Sequence, residues 1–223
     1  MTFSIVARCA DARMFGVAIA SSSPAVAARC AHARAGVGAV ASQNITDPSL
    51  GGKILDALGR GVGARGALDE VLSATQFGAY RQLLSIGKSG PPATHSGTQS
   101  LGIVNAALGE HAAAAGNLLA RADVPQAMMR EFETADGHLG VRLLRALRAG
   151  AERGGESGPI HSAGLLIVRE VPWPIVDLRI DWSDDPVAEL GVLWRIYEPQ
   201  IEDYVRRAVD PGKAPNFGVP GDP

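Results

Sequence analysis

The chain has 223 residues, enough for one sizeable domain, and its 46% hydrophobic and 20% charged residues are ordinary for a globular protein. A net charge of −2 gives no reason to expect nucleic acid or an anionic membrane as a partner, and 5% aromatic residues are too few for base stacking. Two cysteines make no disulfide framework, and no stretch approaches the roughly 20 apolar residues of a membrane span. We therefore expect a cytoplasmic protein that binds neither nucleic acid nor membrane.

The first half of the sequence predicts a β-hairpin, further strands and a pair of helices. Short β-type runs at residues 3–8 and 15–22 are separated by a turn-rich segment. Residues 24–35 are rich in Ala and Arg and are compatible with a loop or a short helix. Further strands are predicted at residues 37–43, 80–86 and 93–97, and helices at residues 49–59 and 64–74.

The second half begins with residues 98–116, which carry little signal, although residues 101–104 could be extended. The later predictions are helices at residues 124–134 and 139–153, strands at 162–169 and 176–181, and one long helix at 186–207, with Asp123 and either Asp184 or Asp185 as N-caps. A single domain over residues 1–210 would be followed by a Pro/Gly-rich tail, residues 211–223, either disordered or clasped onto a partner.

Helices thus occur in pairs between groups of strands. This order favours an α+β fold with antiparallel sheets over a doubly wound parallel sheet. The run Gly36–Ala41 matches G-x-G-x-x-A, but it lies inside a predicted strand, where the dinucleotide fingerprint must follow one and open a helix. The five histidines show no metal-ligand spacing. We expect no metal and no cofactor.

Thr2 is the first candidate for chemistry. Bacterial aminopeptidases generally remove an initiator Met that precedes a small residue, which would leave Thr2 with a hydroxyl and a free α-amine. The pKa of an α-amine is about 7.7–8.0, so near neutral pH part of it is free to accept a proton. Such a Thr is a self-contained nucleophile and base for acyl transfer. The alternative is that Met-Thr begins the chain for no catalytic reason.

Three further positions have both a functional and a structural interpretation. Arg34, or Arg29 as second choice, could tune the amine or hold an anionic substrate, and could equally be a surface arginine. Asn117 could donate a hydrogen bond to an oxyanion, and could equally be a turn residue. Gln43-Asn44 at a strand end has the same two interpretations. Ser21-Ser22-Ser23 could form an anion-binding nest or simply a polar strand end.

Several segments resemble an uncharacterised bacterial and archaeal family, domain of unknown function 1028. They are residues 2–8, 15–21, 33–43, 115–119, 177–181 and 185–190. The resemblance implies an N-terminal nucleophile (Ntn) hydrolase type of fold, a four-layer αββα sandwich, but it supplies no activity. The sequence departs from the family pattern at Ala115, where the family has Gln, and at Ile160-His161, where it tends to have Arg-Gln.

Two hypotheses follow. The first is a hydrolase of a small amide or peptide-like substrate, with Thr2 as nucleophile assisted by Arg34 and Asn117. The expected substrate contacts are Ser21, Ser22, Gln43, Asn44 and His161. The second is a non-catalytic module that binds a small ligand or another subunit on the same fold. We also expect a homo-oligomer, formed through Ala/Gly-rich faces and the terminal helix.

Overall fold

The computed structural model describes residues 1–219, and within this range the chain forms ten β-strands and seven α-helices. The strands are β1 (Thr2–Arg8), β2 (Phe15–Ser21), β3 (Ala31–Arg34), β4 (Gly38–Asn44), β5 (Arg81–Gly87), β6 (Ala93–Ser96), β7 (Asn105–Leu108), β8 (Ala112–Asn117), β9 (Ser162–Val168) and β10 (Val176–Ile180). The helices are α1 (Val26–Cys30), α2 (Ser49–Gly59), α3 (Ala64–Ser73), α4 (Val124–Thr134), α5 (Leu139–Glu152), α6 (Pro186–Tyr197) and α7 (Ile201–Val209).

The strands form two antiparallel sheets. The larger sheet has the order β10-β9-β2-β1-β8-β7, and the smaller has the order β3-β4-β5-β6. The predicted hairpin of β1 and β2 is confirmed, with Phe3 opposite Ala20. β1 pairs with β8 on its other side, so the first strand of the chain lies inside the larger sheet. The prediction of a mixed α+β fold with antiparallel sheets is confirmed.

Each sheet faces the other sheet on one side and helices on the other. Successive residues of a strand point to opposite faces. Phe3 and Ile5 of β1 therefore pack among residues of α4 and α5, whereas Val6 packs among residues of the smaller sheet. Helices α2 and α3 cover the outer face of the smaller sheet. Burial of a side chain such as Phe3 contributes about 1.5–3 kcal/mol, and many such residues hold the layers together.

Two segments, one in each half of the chain, differ from the prediction. Residues 24–35 contain the short helix α1, but they also contain the edge strand β3. The low-signal segment contains β7 and the central strand β8, while residues 101–104 are not a strand. Alanine is depleted in strands, which is why the run of β8 gave no signal. Its alanines lie between α4 on one face and the smaller sheet on the other, where small side chains permit close packing.

The predicted long terminal helix is two helices. α6 ends at Tyr197, a 3₁₀ turn covers Glu198–Gln200, and α7 follows. Pro199 lies in this turn and explains the interruption, because proline lacks the N–H that would continue the helix and its ring clashes with the preceding turn.

The two predicted caps also differ from each other. Asp185 caps α6 by accepting a hydrogen bond from the Ala188 N–H at 3.3 Å. Asp123 makes no side-chain cap and instead accepts from Arg153 Nε at 2.9 Å.

The described part of the tail folds back on α7. The Arg207 guanidinium lies 3.7 Å from the centroid of the Phe217 ring and donates to the Pro215 carbonyl at 3.1 Å. The remainder of the predicted tail, residues 220–223, lies outside the described residues. None of the helices formed by residues 1–219 has the length and apolar character needed to span a bilayer.

Candidate functional site

A row of polar side chains crosses four neighbouring strands of the larger sheet. Thr2 of β1 lies opposite Asn117 of β8, and Ser21 of β2 lies opposite Ser162 of β9. The hairpin register places Thr2 beside Ser21, and their hydroxyl oxygens are 3.4 Å apart. All four side chains are buried and lie on the face that the larger sheet turns toward the smaller one. The row forms a polar end to an otherwise apolar layer between the sheets.

A second set of buried polar groups faces this row from the smaller sheet. Ser4 Oγ donates to Gln43 Oε1 at 2.6 Å, and Gln43 Nε2 donates to Gln82 Oε1 at 2.8 Å. Asn117 Nδ2 also donates to Gln82 Oε1, at 3.0 Å, which joins the two sheets. Gln82 Nε2 in turn donates to the Gly116 carbonyl at 3.0 Å. These bonds hold the end of β8 in a fixed place beside Thr2.

Met1 occupies the space in front of the Thr2 hydroxyl. The hydroxyls of Thr2 and Ser21 both donate to the Met1 carbonyl oxygen. The Met1 sulfur lies 3.8 Å from Ser157 Oγ, and a Cβ on Gly158 would stand 3.1 Å from Met1 Cε. Thr2 is consequently only 5% exposed. The Met1 carbonyl oxygen therefore accepts hydrogen bonds from two hydroxyls, one of which belongs to the predicted nucleophile Thr2.

Glu156 is a residue of this region that the sequence did not reveal. It lies in the loop after α5, bridged to Leu119 just beyond β8, and is 3% exposed. Neither of its carboxyl oxygens makes a hydrogen bond of ordinary geometry within residues 1–219, although Ser22 lies close enough to act on them. Burial raises the pKa of Glu156 to about 7, while the charge of the chain's amino terminus, hydrogen bonding from the Ser22 side chain and backbone, and the charge of His161 lower it. In the sequence Glu156 is a single acidic residue in a Gly-rich segment, and this pattern is equally typical of a solvent-exposed turn.

Four predicted site residues, Thr2, Ser21, Gln43 and Asn117, are brought together. The predicted oxyanion role of Asn117 does not follow from the arrangement, however. One of the two N–H donors of its amide is bonded to Gln82, and the side-chain atom without a partner among the described residues is the oxygen Oδ1, an acceptor. The oxyanion role of Asn117 therefore stays a prediction that would depend on its second N–H.

Ser22 and His161 lie at the margin of the site. Ser22 is beside Glu156. The His161 N–H donates to the Ser21 carbonyl at 2.9 Å, and its ring stacks on Trp182 with centroids 4.2 Å apart.

Asn44 is an anchor for loops and lies outside the polar row. Its backbone is left-handed with φ 73°, its Nδ2 donates to the Tyr80 carbonyl at 2.7 Å, and its Oδ1 accepts from the Leu101 N–H at 3.2 Å.

Arg34 is not brought to Thr2. It lies opposite Gly38, five residues along β4 from Gln43, which corresponds to roughly 17 Å. Its Nη2 donates to Asp56 Oδ1 of α2 at 2.8 Å, so the side chain lies on the outer face of the smaller sheet. Arg29, the second choice, donates to the Pro24 and Ala25 carbonyls. In the described chain no three His, Cys, Asp or Glu side chains converge as a metal site.

The fold and the site define a mixed α+β protein whose N-terminal strand delivers a buried Thr into a polar cluster between two antiparallel sheets. The chain belongs to DUF1028, a family of unknown function, whose model matches residues 2–190. The family resemblance seen in the sequence is confirmed. No curated protein matches the sequence.

The solved structures similar to the chain include the following two. The crystal structure of protein SPO2555 from Silicibacter pomeroyi, described as a DUF1028 protein, is 28% identical, with a TM-score of 0.83 over 92% of this chain and 94% of that chain. Anbu (ancestral beta-subunit) from Yersinia bercovieri is 14% identical, with a TM-score of 0.39 over 92% of this chain and 97% of that chain. The second similarity is too low to carry an argument about fold or function.

Proposed function

We propose that this protein is an amide hydrolase of the Ntn type, in which Thr2 becomes the nucleophile once Met1 has been removed. The observation that carries the proposal is the carbonyl oxygen held between the Thr2 and Ser21 hydroxyls. A nucleophilic hydroxyl, a second donor and a carbonyl group already stand together in a buried polar pocket. The layer order of helices, sheet, sheet and helices supports the four-layer αββα architecture of that class.

The proposed reaction needs only groups of the processed chain. Thr2 Oγ1 attacks the carbonyl carbon of a small amide or peptide-like substrate, and the α-amine takes the hydroxyl proton. The resulting ammonium returns this proton to the leaving nitrogen as the C–N bond breaks, which leaves an ester on Thr2. Water then attacks the ester carbonyl and gives its proton to the same amine, which passes this proton to Thr2 Oγ1 as the ester C–O bond breaks, so the acid product departs and the free hydroxyl and amine are restored.

Ser21 is the first donor that we assign to the oxyanion. Its hydroxyl already donates to a carbonyl oxygen at this place, and the Ser23 N–H donates to Ser21 Oγ at 3.0 Å. That bond directs the Ser21 proton away from Ser23 and toward the carbonyl. A fixed donor of this kind stabilises the developing charge more than a solvent molecule would, because it needs no reorganisation during the reaction.

The alternative function is a non-catalytic binding module, and the position of Met1 favours it. While Met1 is attached, the nitrogen of Thr2 is an amide and cannot act as a base. The Thr2 hydroxyl is also covered. In this alternative the fold would bind a small ligand without turning it over.

The test begins with the intact mass of the protein isolated from its host without a tag, and continues with an amide-substrate panel. We expect a mass that lacks Met1 and turnover of at least one substrate. Thr2→Ala should reduce that turnover at least about 10³-fold, because it deletes the nucleophile while leaving the amine and the fold in place.

Thr2→Ser is the matched control and should keep measurable activity, since it retains a hydroxyl on the first residue. Full activity of Thr2→Ala would contradict the hydrolase proposal. A retained Met1, with ligand-dependent stabilisation against heat, would favour the binding module.

We also propose a homo-oligomer, for which the structure narrows the candidate surface. Trp194 and Ile201 are each 4% exposed and pack into the protein's own core, so they are not available to a partner. Ile196 and Tyr204 remain exposed on α6 and α7. Size-exclusion chromatography with light scattering should show a dimer or larger assembly, and a monomer at all concentrations would remove this proposal.

A further inference from the structure

Glu156 is held rigidly in an unfavourable setting. The Ser157 N–H donates to the Leu118 carbonyl at 2.8 Å, and the Ala120 N–H donates to the Gly155 carbonyl at 3.1 Å, so the loop on both sides of Glu156 is fixed to the chain that leaves β8. The carboxyl group is buried, and within the part of the chain that the structure describes only Ser22 approaches it as a donor, without a hydrogen bond of ordinary geometry. Such a group costs stability unless a charge or a donor is brought to it.

The same loop is the wall against which the amino-terminal residue packs. Ser157 and Gly158, the next two residues, contact the Met1 side chain. Removal of Met1 would vacate this contact and move the free α-amine one residue along β1, to Thr2. Glu156 is then an acidic group without a hydrogen bond of ordinary geometry at the margin of a pocket that contains a new basic group.

We propose that Glu156 is the acidic partner of the Thr2 α-amine in the processed protein and shares a proton with it. This inference rests on the proposed removal of Met1. When the hydroxyl proton passes to the amine, the Glu156 carboxylate balances the ammonium charge that forms. The proton then goes on to the leaving nitrogen, and Glu156 ends the cycle in the state in which it began. Glu156 therefore positions and balances the base and does not attack substrate.

The other titratable groups near this pair lie just before β9 and on α1. His161, which precedes β9, acts on Glu156, and its Nδ1 lies 3.8 Å from the exposed Asp184 carboxylate. Cys30 at the end of α1 is buried, which raises the pKa of its thiol, while the charges of Arg29 and of the amino terminus lower it. None of these side chains is a buried carboxylic acid, which singles out Glu156.

The experiment measures the titration of the Thr2 α-amine itself. Met1-free wild-type protein, confirmed by mass, is acetylated with trace acetic anhydride at a series of pH values, and the modified N-terminal peptide is quantified. In Glu156→Gln the amine should lose its anionic neighbour. The midpoint of its titration should then fall by about one pH unit, a tenfold shift in its proton affinity.

Glu152→Gln is the matched control, because Glu152 is an exposed carboxylate of α5 that pairs with Arg148. The titration midpoint of the Thr2 α-amine in Glu152→Gln should equal that in the wild type. Glu156→Asp keeps the charge and should lie between wild type and Glu156→Gln, which preserves the test if the Gln variant does not fold.

The outcomes separate the two proposals. An unchanged midpoint in Glu156→Gln would overturn the role of Glu156 and leave the hydrolase proposal standing. A lowered midpoint without turnover of any amide would uphold the pair and count against the hydrolase. Retention of Met1 in the isolated protein would overturn both.

Discussion

The two ends of β1 bury polar groups between the same two sheets, but they do so in opposite ways. At one end the Arg8 guanidinium is 7% exposed and donates to the Gly87 carbonyl at 2.8 Å, with longer contacts to Glu110 and His111. Burial lowers the pKa of Arg8 and the charge of Glu110 raises it. At the other end, beside Thr2, the buried side-chain oxygens of Asn117 and Glu156 make no hydrogen bond of ordinary geometry among residues 1–219.

We interpret the Arg8 end as a structural contact between the sheets and the Thr2 end as the proposed functional site. The Arg8 end satisfies its polar group by binding the backbone of the opposite sheet, which fastens the layers together. An unsatisfied buried polar group costs about 1–3 kcal/mol, and native proteins retain few of them. A cluster of such groups beside Thr2 and Ser21 is what a pocket needs if its missing partners are to come from substrate and from a free α-amine.

The sharpest way to test the Thr2 end is to remove the second hydroxyl. Ser21→Ala should lower kcat on an amide substrate by about 10²–10³-fold, because one oxyanion donor is lost. KM should change far less, since the interaction is made mainly in the transition state. Steady-state kinetics of Ser21→Ala, with Thr2→Ser measured in parallel, give both kcat and KM. An equal loss in Ser4→Ala, which removes a hydroxyl outside the row, would show that general disturbance of the pocket explains the effect.

The Arg8 end should respond in stability and not in activity. Arg8→Met leaves the Gly87 carbonyl without its donor in a buried layer, and we expect the free energy of unfolding to fall by about 3 kcal/mol. Urea denaturation measures this loss. Turnover per folded molecule should stay at the wild-type value, and a selective loss of activity in the folded variant would mean that the two ends are coupled.

The pH dependence of stability should reveal Glu156. Its pKa is raised from 4.5 to about 7, so the folded state binds a proton more tightly than the unfolded state. The unfolded chain therefore binds fewer protons between these values, and stability should fall as the pH rises from about 4.5 to 7. We expect this part of the loss to be at most about 3 kcal/mol, and Glu156→Gln should remove it. Denaturation curves at pH 5 and pH 8 for the wild type and Glu156→Gln measure this. An identical change in the free energy of unfolding between the two pH values would contradict the expectation.

The smallest effect is expected at Arg34, the residue that the structure separates from Thr2. Its ion pair with Asp56 is about half exposed, so Arg34→Ala should change the free energy of unfolding by less than about 1 kcal/mol. Activity should be unchanged. A large fall in kcat would show that the arginine acts on the site over a distance that the described structure does not explain.

The sequence predicted the elements whose residues repeat with a clear period. The β1–β2 hairpin and helices α2 to α5 follow alternating or helical patterns. β8 could not be found in this way, because its alanines have neither the period nor the propensity of a strand. Its place is decided by close packing between α4 and the smaller sheet, which is a tertiary effect.

For the site, the sequence could supply residue types but not the partners that depend on register. Thr2, Ser21 and Asn117 were predicted separately, and only the pairing of three strands shows that they share a row. Gln82 was not predicted, because a glutamine in a strand has no chemical signature of its own. Arg34 was predicted because the chain has few lysines and this arginine precedes the third predicted strand, and the register of β3 with β4 places it elsewhere.

The pairing of β1 on both sides also has a consequence for the timing of biosynthesis. β2 follows β1 closely, but β8 ends at residue 117 and is translated much later. At roughly 5–20 residues per second the ribosome needs about 6–23 s to reach it. Until then the start of the chain is open on one side, whereas in the folded protein the Met1 carbonyl is bound by two hydroxyls. An aminopeptidase that works on nascent chains would act within this interval, so the rate of translation and the rate of excision together would set the fraction of mature molecules.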